Sequence, residues 1–277
     1  MTALYHRDGF RFEPTALTRG PWSPDAQHGG PPACLLAYLI QEHENGPEMF
    51  LSRTTVDLLR PVPLTPLIAS VRTTRPGRKV QLVEASLWTG PNAGEGVEVV
   101  RAVGLRIRRG AVTLPASALD ANSAVDLVVD EARSIGRPSD GRRWPQPGES
   151  AFGSAGFHAD AVELRFVHGA PNLIGPGTMW GRLLVPLFDD VVATGVPLAL
   201  ALSDFGNAAS SVVTPDRWGF INADLTVSLH RDPVGEWISL DAITRVSSIG
   251  VGVASALLSD LDGPIGRCVA SLLIEPR

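Results

Sequence analysis

The feature that most constrains the fold of this chain is an internal repeat. Four pairs of short segments match in the same order: TVDLLR at 55–60 with TVSLHR at 226–231, TR at 74–75 with TR at 244–245, VEASL at 83–87 with VASAL at 253–257, and RAV at 101–103 with RCV at 267–269. The spacing between paired segments stays within 166–171 residues. Because the order and the spacing are both kept, the matches indicate a tandem duplication of one unit.

The segment between the two copies has a different composition. The chain has 277 residues, and residues 115–150 contain stretches such as GRPSDGRRWPQPGES that are rich in Pro, Gly, Ser and charge. Such a composition is typical of a linker or a surface excursion. The sequence therefore predicts an N-terminal unit at 1–114, a linker at 115–150 and a C-terminal unit at 151–277.

Each half contains an apolar segment that predicts a short helix. The first, PPACLLAYLIQEHE at 31–44, starts with proline, which a helix tolerates in its first turn, and is followed by Asn45-Gly46, a typical helix stop. Residues 33–40 are apolar on every face, so we expect this helix to be buried. The corresponding helix of the second half is predicted near residues 197–204, PLALALSD.

The remainder of each half is predicted to form strands. These are 54–60, 67–74, 79–88 and 97–109 in the first half, and 220–231, 236–246, 250–259 and 266–275 in the second. A buried helix followed by a long antiparallel meander suggests a sheet wrapped around one helix. The predicted class is therefore α+β, with two helices and two sheets in one body.

Charge and composition exclude several classes of function. The chain has 24 basic and 29 acidic residues, a net charge of −5, so we expect no nucleic-acid partner. It begins without an apolar signal core, and its apolar runs are too short to span a bilayer, so we expect a cytoplasmic protein that does not insert into membranes. The six histidines form no i,i+3 or i,i+4 pair, and no P-loop or dinucleotide fingerprint is present, so we expect no metal and no cofactor. Cys34 and Cys268 lie in apolar runs and are expected to be buried thiols.

Candidate chemistry lies in a difference between the two helices. The first follows His28-Gly29-Gly30, whereas alignment of the second with it places Asp204 opposite Leu39. A glycine-rich helix start presents free backbone N–H groups that can stabilise an oxyanion. A carboxylate in an apolar helix is costly to bury unless it is paired or functional.

Structural interpretations of the same residues stay open at this point. Gly29-Gly30 can serve only as a tight helix start, and Asp204 only as part of the C-terminal cap of a short helix. His28 can be a structural hydrogen-bonding residue with no part in proton transfer.

The residues around these two helices carry a family resemblance. His28-Gly29-Gly30 before an apolar helix, followed by Leu-Arg-Pro at 59–61, resembles the hotdog-fold thioesterases. In the second half, Ser203-Asp204, ADLTVSLHR at 223–231, WISL at 237–240 and GRCVA at 266–270 are similar to the C-terminal half of double-hotdog proteins of the acyl-CoA thioesterase II type. The resemblance covers the whole chain outside 115–150.

The resemblance implies a tandem hotdog fold and a site that holds a water molecule. The family's helix carboxylate falls on Asp204, and its strand hydroxyl or amide falls on Asn222. The family's glutamine falls near Ile274, where this sequence has none, and Ser271 or Glu275 are possible substitutes. The carboxylate that follows the glycines in single-hotdog relatives is replaced here by Ala37, so the first half should have no site of its own.

We therefore expect a hydrolase that cleaves acyl-CoA thioesters in lipid metabolism. In this hypothesis Asp204 is the general base, Asn222 orients the water, Gly29 and Gly30 polarise the carbonyl, and His28 and Ser271 bind substrate. The alternative is a non-catalytic hotdog protein that binds acyl-CoA or another hydrophobic ligand, which the missing glutamine favours. A hydratase is also open to this fold, although the sequence shows no strand-to-helix Asp/His pair. Because the edge strands of a sheet expose unpaired backbone groups that another copy of the chain can cover, we expect a homo-oligomer.

Overall fold

The central element of the molecule is one antiparallel sheet. The structure is a computed structural model and describes residues 3–44, 48–117, 134–145, 155–171, 173–214 and 216–277. Its strands are β1 (Tyr5–Asp8), β2 (Arg11–Pro14), β3 (Met49–Leu58), β4 (Leu67–Arg75), β5 (Val80–Asn92), β6 (Glu95–Arg108), β7 (Arg142–Trp144), β8 (Val162–His168), β9 (Gly177–Leu183), β10 (Trp218–Asn222), β11 (Asp224–Leu229), β12 (Ile238–Val246), β13 (Val251–Asp260) and β14 (Gly263–Pro276). Its helices are α1 (Gly30–Glu42), α2 (Gly195–Ser203) and the single turn α3 (Gly206–Ala209).

The strand order shows how the two copies of the repeat are joined. It runs β1-β2-β4-β5-β6-β3-β11-β14-β13-β12-β9-β8-β7, with β10 attached to β14. The centre is the β3–β11 pair, in which Thr55 lies directly opposite its repeat equivalent Thr226, and the Thr226 hydroxyl donates to the Thr55 hydroxyl over 3.1 Å. The bounds of β4 and β12 lie 171 residues apart. The predicted duplication therefore forms one continuous sheet with approximate two-fold symmetry.

The two long helices pack against each other and against the sheet. Most residues of α1 are buried, as expected from a segment that is apolar on every face. The helix ends at Glu42, two residues before the predicted end, and Asn45-Gly46 lies outside the described residues. The second helix begins two residues earlier than predicted, and its C-cap is Asp204. The α+β class and the tandem hotdog architecture are confirmed.

Several elements were not predicted from the sequence. The β1–β2 hairpin and strands β8 and β9 extend the two ends of the sheet. Residues 142–144, within the segment predicted as a linker, form β7 and pair with β8. These residues therefore belong structurally to the second half. Cys34 and Cys268 are free and buried, as expected.

A buried arginine fixes the C-terminal end of α1. The Arg106 side chain on β6 is almost fully buried, and its guanidinium donates to the carbonyls of Ile40, His43 and Glu44. Those carbonyls belong to the last turn of α1 and the residues after it, where helical partners are lacking. Arg106 thereby couples the sheet to the helix that begins at the candidate site.

We expect Arg106→Met to lower the free energy of unfolding by about 3 kcal/mol, because it leaves buried carbonyls without a donor. Urea denaturation followed by circular dichroism measures this. Arg108→Met removes the same charge at an exposed position of the same strand and should change stability by less than about 0.5 kcal/mol. Equal losses in both variants would contradict the capping role.

Candidate active site

The site lies where the start of α1 meets the end of α2. A Cβ atom added to Gly30 would lie 2.4 Å from the Ala201 carbonyl oxygen, and one added to Gly29 would lie 2.8 Å from Asp204 Oδ2. Real Cβ contacts are not this short, so both positions require glycine for close packing. The two glycines therefore allow a helix N-terminus of the first half to reach the carboxylate of the second half.

The segment before α1 is held by hydrogen bonds from several parts of the chain. The His28 N–H donates to the Thr18 carbonyl over 2.8 Å, and the Gln27 N–H donates to the Val62 carbonyl over 2.8 Å. The Gln27 side chain accepts from the Tyr5 hydroxyl over 2.6 Å. These bonds fix the backbone from which the His28 side chain projects.

His28 and Asp204 form the central pair of the site. His28 Nδ1 lies 2.7 Å from Asp204 Oδ2, and the two side chains are only 11% and 6% exposed. The imidazole ring packs against two aromatic rings, with ring centroids 5.1 Å from Phe157 and 4.7 Å from Phe205, and these two rings stack on each other. His28 also lines the neighbouring cavity.

The hydrogen bonds determine which His28 nitrogen carries a proton in the neutral ring. The Gly30 N–H lies 3.2 Å from Nδ1, but one nitrogen cannot accept from Gly30 while donating to Asp204. The contact with the carboxylate is shorter and charge-assisted, so we assign the proton to Nδ1. The Gly30 N–H then donates to its other acceptor, the Asp204 carboxylate. In the neutral ring this leaves Nε2 as an acceptor, and no described residue bonds to it.

Asn222 holds the other carboxylate oxygen. Its side-chain amide donates to Asp204 Oδ1 and, over 3.2 Å, to the Asp204 carbonyl. The amide oxygen of Asn222 accepts from the side chain of Asn207 on α3 over 3.0 Å. Since both protons of the Asn222 amide are directed at Asp204, this side chain orients the carboxylate.

These donors lower the pKa of Asp204. Burial acts to raise the pKa of this carboxyl, but attraction to His28 and hydrogen bonds from His28, Asn222 and the Gly30 N–H outweigh it. The carboxylate therefore stays ionised at neutral pH, and the positive end of the α1 dipole supports the same state.

A cavity of about 440 Å³ opens beside the His28–Asp204 pair. This is the size of a small-molecule site. Its lining residues are mostly apolar or aromatic and include Trp22, Gly29, Leu59, Arg60, Trp144, His158, Leu164, Phe166, Phe205, Ile221 and Leu273. Trp22, Leu59, Ile221 and Leu273 are exposed, whereas Trp144, His158, Leu164 and Phe166 are buried. The cavity thus has an exposed part and a buried part, and His28 and Asp204 belong to its lining.

The structure brings together five of the six predicted site residues. His28, Gly29, Gly30, Asp204 and Asn222 share this site. Ser271 is not among the residues that line the cavity: it is exposed on β14, and its N–H donates to Asp224, so its role in substrate binding stays a prediction.

The expected glutamine position, at Ile274, does not line the cavity either. Ile274 is buried in a separate apolar cluster with Phe220, Ala254 and Leu272. Glu275, on the same strand, is exposed. Neither the Ile274 nor the Glu275 side chain takes the place of the glutamine expected from the family that the sequence resembles.

The symmetry-related position has no equivalent pair. There the start of α2 at Gly195 faces a shallow surface depression that Gln41 also lines. Leu39, which the alignment placed opposite Asp204, is buried in the core. The position equivalent to Asp204 therefore has no carboxylate, and the Asp232 and Glu236 carboxylates that line the depression have no described histidine beside them there.

Sequence reasoning missed several residues of the site. Asn207 follows Asp204 by three residues, a spacing that places both side chains on one side of a helical turn. This spacing is the sequence signal that could have identified Asn207. Phe157, which packs on His28, and Trp144, which lines the buried end, come from segments that the sequence left without predicted structure.

Two family models match the chain. The acyl-CoA thioesterase N-terminal domain matches residues 18–107, and the acyl-CoA thioesterase C-terminal domain matches residues 137–274. The chain belongs to the acyl-CoA thioesterase family. Each matched range supplies one member of the His28–Asp204 pair. No curated protein sequence gives a significant match.

Solved structures of similar fold cover nearly the whole chain. A conserved protein of unknown function with hot dog fold from Alicyclobacillus acidocaldarius is 15% identical, with a TM-score of 0.70 and coverage of 99% of this chain and 95% of that one. The tesB protein of Mycobacterium avium subspecies paratuberculosis is 15% identical, with a TM-score of 0.65 and coverage of 99% and 96%. The acyl-CoA thioesterase II TesB2 of Mycobacterium marinum is 14% identical, with a TM-score of 0.63 and coverage of 99% and 95%. At these identities the likeness shows the fold.

Membership of this thioesterase family supports thioester hydrolysis as the reaction and acyl-CoA as the substrate class. Within the described residues, no helix is long and apolar enough to cross a membrane. The same part of the chain contains no group of three or more His, Cys, Asp or Glu side chains placed to hold a metal ion.

We expect Gly30→Ala to lower the free energy of unfolding by about 1–3 kcal/mol, because the new methyl group overlaps the Ala201 carbonyl. Thermal and urea unfolding measure the change. Gly110→Ala, where nothing lies within 4 Å of the added atom, is the matched control. A Gly30→Ala variant as stable as the control would contradict the close approach of the two helices.

Asp204 should make stability depend on pH in the acid range. Its folded-state pKa lies below the ordinary value of 3.8, so its contribution to stability is present above that value and is lost as pH falls through the folded-state pKa. The stability difference between the wild type and Asp204→Asn should therefore be largest near neutral pH and shrink below pH 3.8. Urea unfolding at a series of pH values measures it, with Asp8→Asn at an exposed site as control. A constant difference across the acid range would contradict the prediction.

Proposed function

We propose that this chain hydrolyses acyl-CoA thioesters at a single composite site in which the His28–Asp204 pair activates water. The observation that carries the proposal is the 2.7 Å contact between the two side chains, at the wall of an apolar cavity and at the start of α1. A water-activating base, a backbone oxyanion donor and an apolar acyl pocket are the three parts that thioester hydrolysis needs.

The proposed reaction begins at His28 Nε2. Nε2 takes a proton from water while the water oxygen attacks the thioester carbonyl carbon. The imidazolium formed is stabilised by Asp204, whose carboxylate stays ionised. Collapse of the tetrahedral intermediate breaks the C–S bond, and the CoA thiolate takes the proton back from Nε2. The products are the free acid and CoA.

Gly29 is the proposed oxyanion donor. Gly29 lines the cavity, and its backbone N–H makes no hydrogen bond with a described residue. The Gly30 N–H, which the sequence hypothesis assigned to the same task, donates to Asp204 and so acts on the carboxylate. The proposal therefore keeps one backbone donor for the carbonyl oxygen at the positive end of α1.

Asp204 has a supporting role in this proposal, whereas the sequence hypothesis made it the base. Both carboxylate oxygens already accept hydrogen bonds, Oδ2 from His28 and Oδ1 from Asn222. A carboxylate with several donors and a lowered pKa is a weak base. The free nitrogen of His28 is better suited to take the proton from water.

The cavity supports an orientation for the substrate. Its buried end, with Trp144, Leu164 and Phe166, is suited to the acyl group. Its open end is suited to the hydrophilic CoA portion. In the proposed orientation the thioester lies next to His28.

The decisive experiment is steady-state hydrolysis of a panel of acyl-CoAs, with thiol release as the readout. We expect His28→Gln and Asp204→Asn each to lower kcat by about 10²–10⁴-fold with folding retained, because each breaks the proton-transfer pair. His168→Gln, at a largely exposed position, is the control. If His28→Gln keeps wild-type turnover while Asp204→Asn loses it, Asp204 is the direct base and the pair mechanism is wrong.

Two other outcomes separate the rival functions. Tight acyl-CoA binding with no thiol release by the wild type would support the non-catalytic alternative. The His28–Asp204 pair also favours a second candidate, a hydratase, because such a pair can deliver water to a double bond beside a thioester. Addition of water to a 2-enoyl-CoA without C–S cleavage would support that reaction. Cytoplasmic location, a role in lipid metabolism and homo-oligomer formation stay predictions.

A further inference from the structure

We infer that Arg60 binds the phosphates of CoA at the open end of the cavity. This inference rests on the proposed function, because it concerns the non-reacting part of the same substrate. It identifies a residue for recognition of the carrier, as distinct from the acyl group.

Arg60 is distinguished by its charge and position. Among the described residues that line the cavity it is the only Lys or Arg, and Asp204 is the only carboxylate. The Asp204 carboxylate is occupied by His28, Asn222 and the Gly30 N–H at the reacting centre. Arg60 is therefore not among the groups that hold the Asp204 carboxylate.

The Arg60 side chain is exposed and makes no ion pair or hydrogen bond with a described residue. Several arginines of the sheet, by contrast, have carboxylate partners, as Arg231 has with Asp260 and Arg101 with Glu98. A guanidinium with no internal partner keeps its donors for a ligand, and its fork geometry suits phosphate oxygens.

The surroundings of Arg60 define the open end of the cavity. Arg60 lies in the turn after β3, and this turn is tied to β10–β11 by a bond from the Leu58 N–H to the Ala223 carbonyl. Trp22, which also lines the open end, packs edge-on against Phe220. The Arg277 guanidinium lies over the Trp22 ring, 4.7 Å from the ring centre. A second guanidinium therefore lies beside the same opening, next to an exposed aromatic surface.

The electrostatics of the whole chain make this local cation necessary. The net charge is −5, and CoA carries several negative charges on its phosphates, so the protein as a whole repels the carrier. A cation fixed at the opening offsets that repulsion where the phosphates pass. The thioester then lies deeper in the cavity, beside the His28–Asp204 pair.

The test compares substrates that share the acyl group and differ in the carrier. We expect Arg60→Gln to raise KM for an acyl-CoA on the order of tenfold, with kcat unchanged. The same variant should leave KM unchanged for the corresponding acyl-pantetheine, which lacks the phosphates. The acyl-CoA KM of the wild type should also rise with salt, and that of the variant should rise less. Arg108→Gln, an exposed arginine at the end of β6, is the control for net charge.

Three outcomes would overturn the inference. They are an unchanged KM for acyl-CoA, an equal rise for acyl-CoA and acyl-pantetheine, and a rise confined to the thioester of an acyl carrier protein. Calorimetric binding of free CoA to the wild type and to Arg60→Gln separates this inference from the proposed function. Weakened CoA binding in the variant, in a protein that releases no thiol, would leave the inference standing and remove the proposed reaction.

Discussion

The packing of the start of α1 against the end of α2 is the constraint on which the site depends. Gly29 and Gly30 have no side chains, so the backbone of one half approaches the Asp204 carboxylate of the other. Burial of that charge is offset by three donors and by the helix dipole. His28 reaches Asp204 only because the same turn of backbone carries both the imidazole and the glycines. The His28–Asp204 pair and the contact between the two halves are therefore one structural feature.

This packing explains how a symmetric fold has a single site. The β3–β11 pair places equivalent residues opposite each other, and the sheet continues through both copies. Each helix start therefore meets the end of the other helix. Only one of the two meetings joins a glycine-rich start with a carboxylate, since Leu39 replaces the acid at the other. Fusion of the copies in one chain permits this division, because each copy can change without the other.

The cavity is asymmetric in polarity as well as in chemistry. Buried aromatic residues line one end, and Arg60 and exposed apolar residues line the other. The proposed substrate orientation rests on this gradient, because an acyl group and a phosphate-bearing carrier prefer opposite environments. The chain segment that carries Trp144 contributes to the buried end, although its composition is that of a linker.

The sequence by itself determined the duplication, the buried helix and the α+β class, because these depend on local apolar patterns and on matches within the chain. It also identified His28, Gly29, Gly30, Asp204 and Asn222 as candidates. The tertiary structure decided their contacts: the Gly30 N–H bonds to Asp204, the Asn222 amide donates to the same carboxylate, and Ser271 is exposed and does not line the cavity. It also added Asn207, Phe157 and Trp144. The physical reason is that a hydrogen-bond partner or a cavity wall depends on which distant segments meet, and no local pattern of residues specifies that.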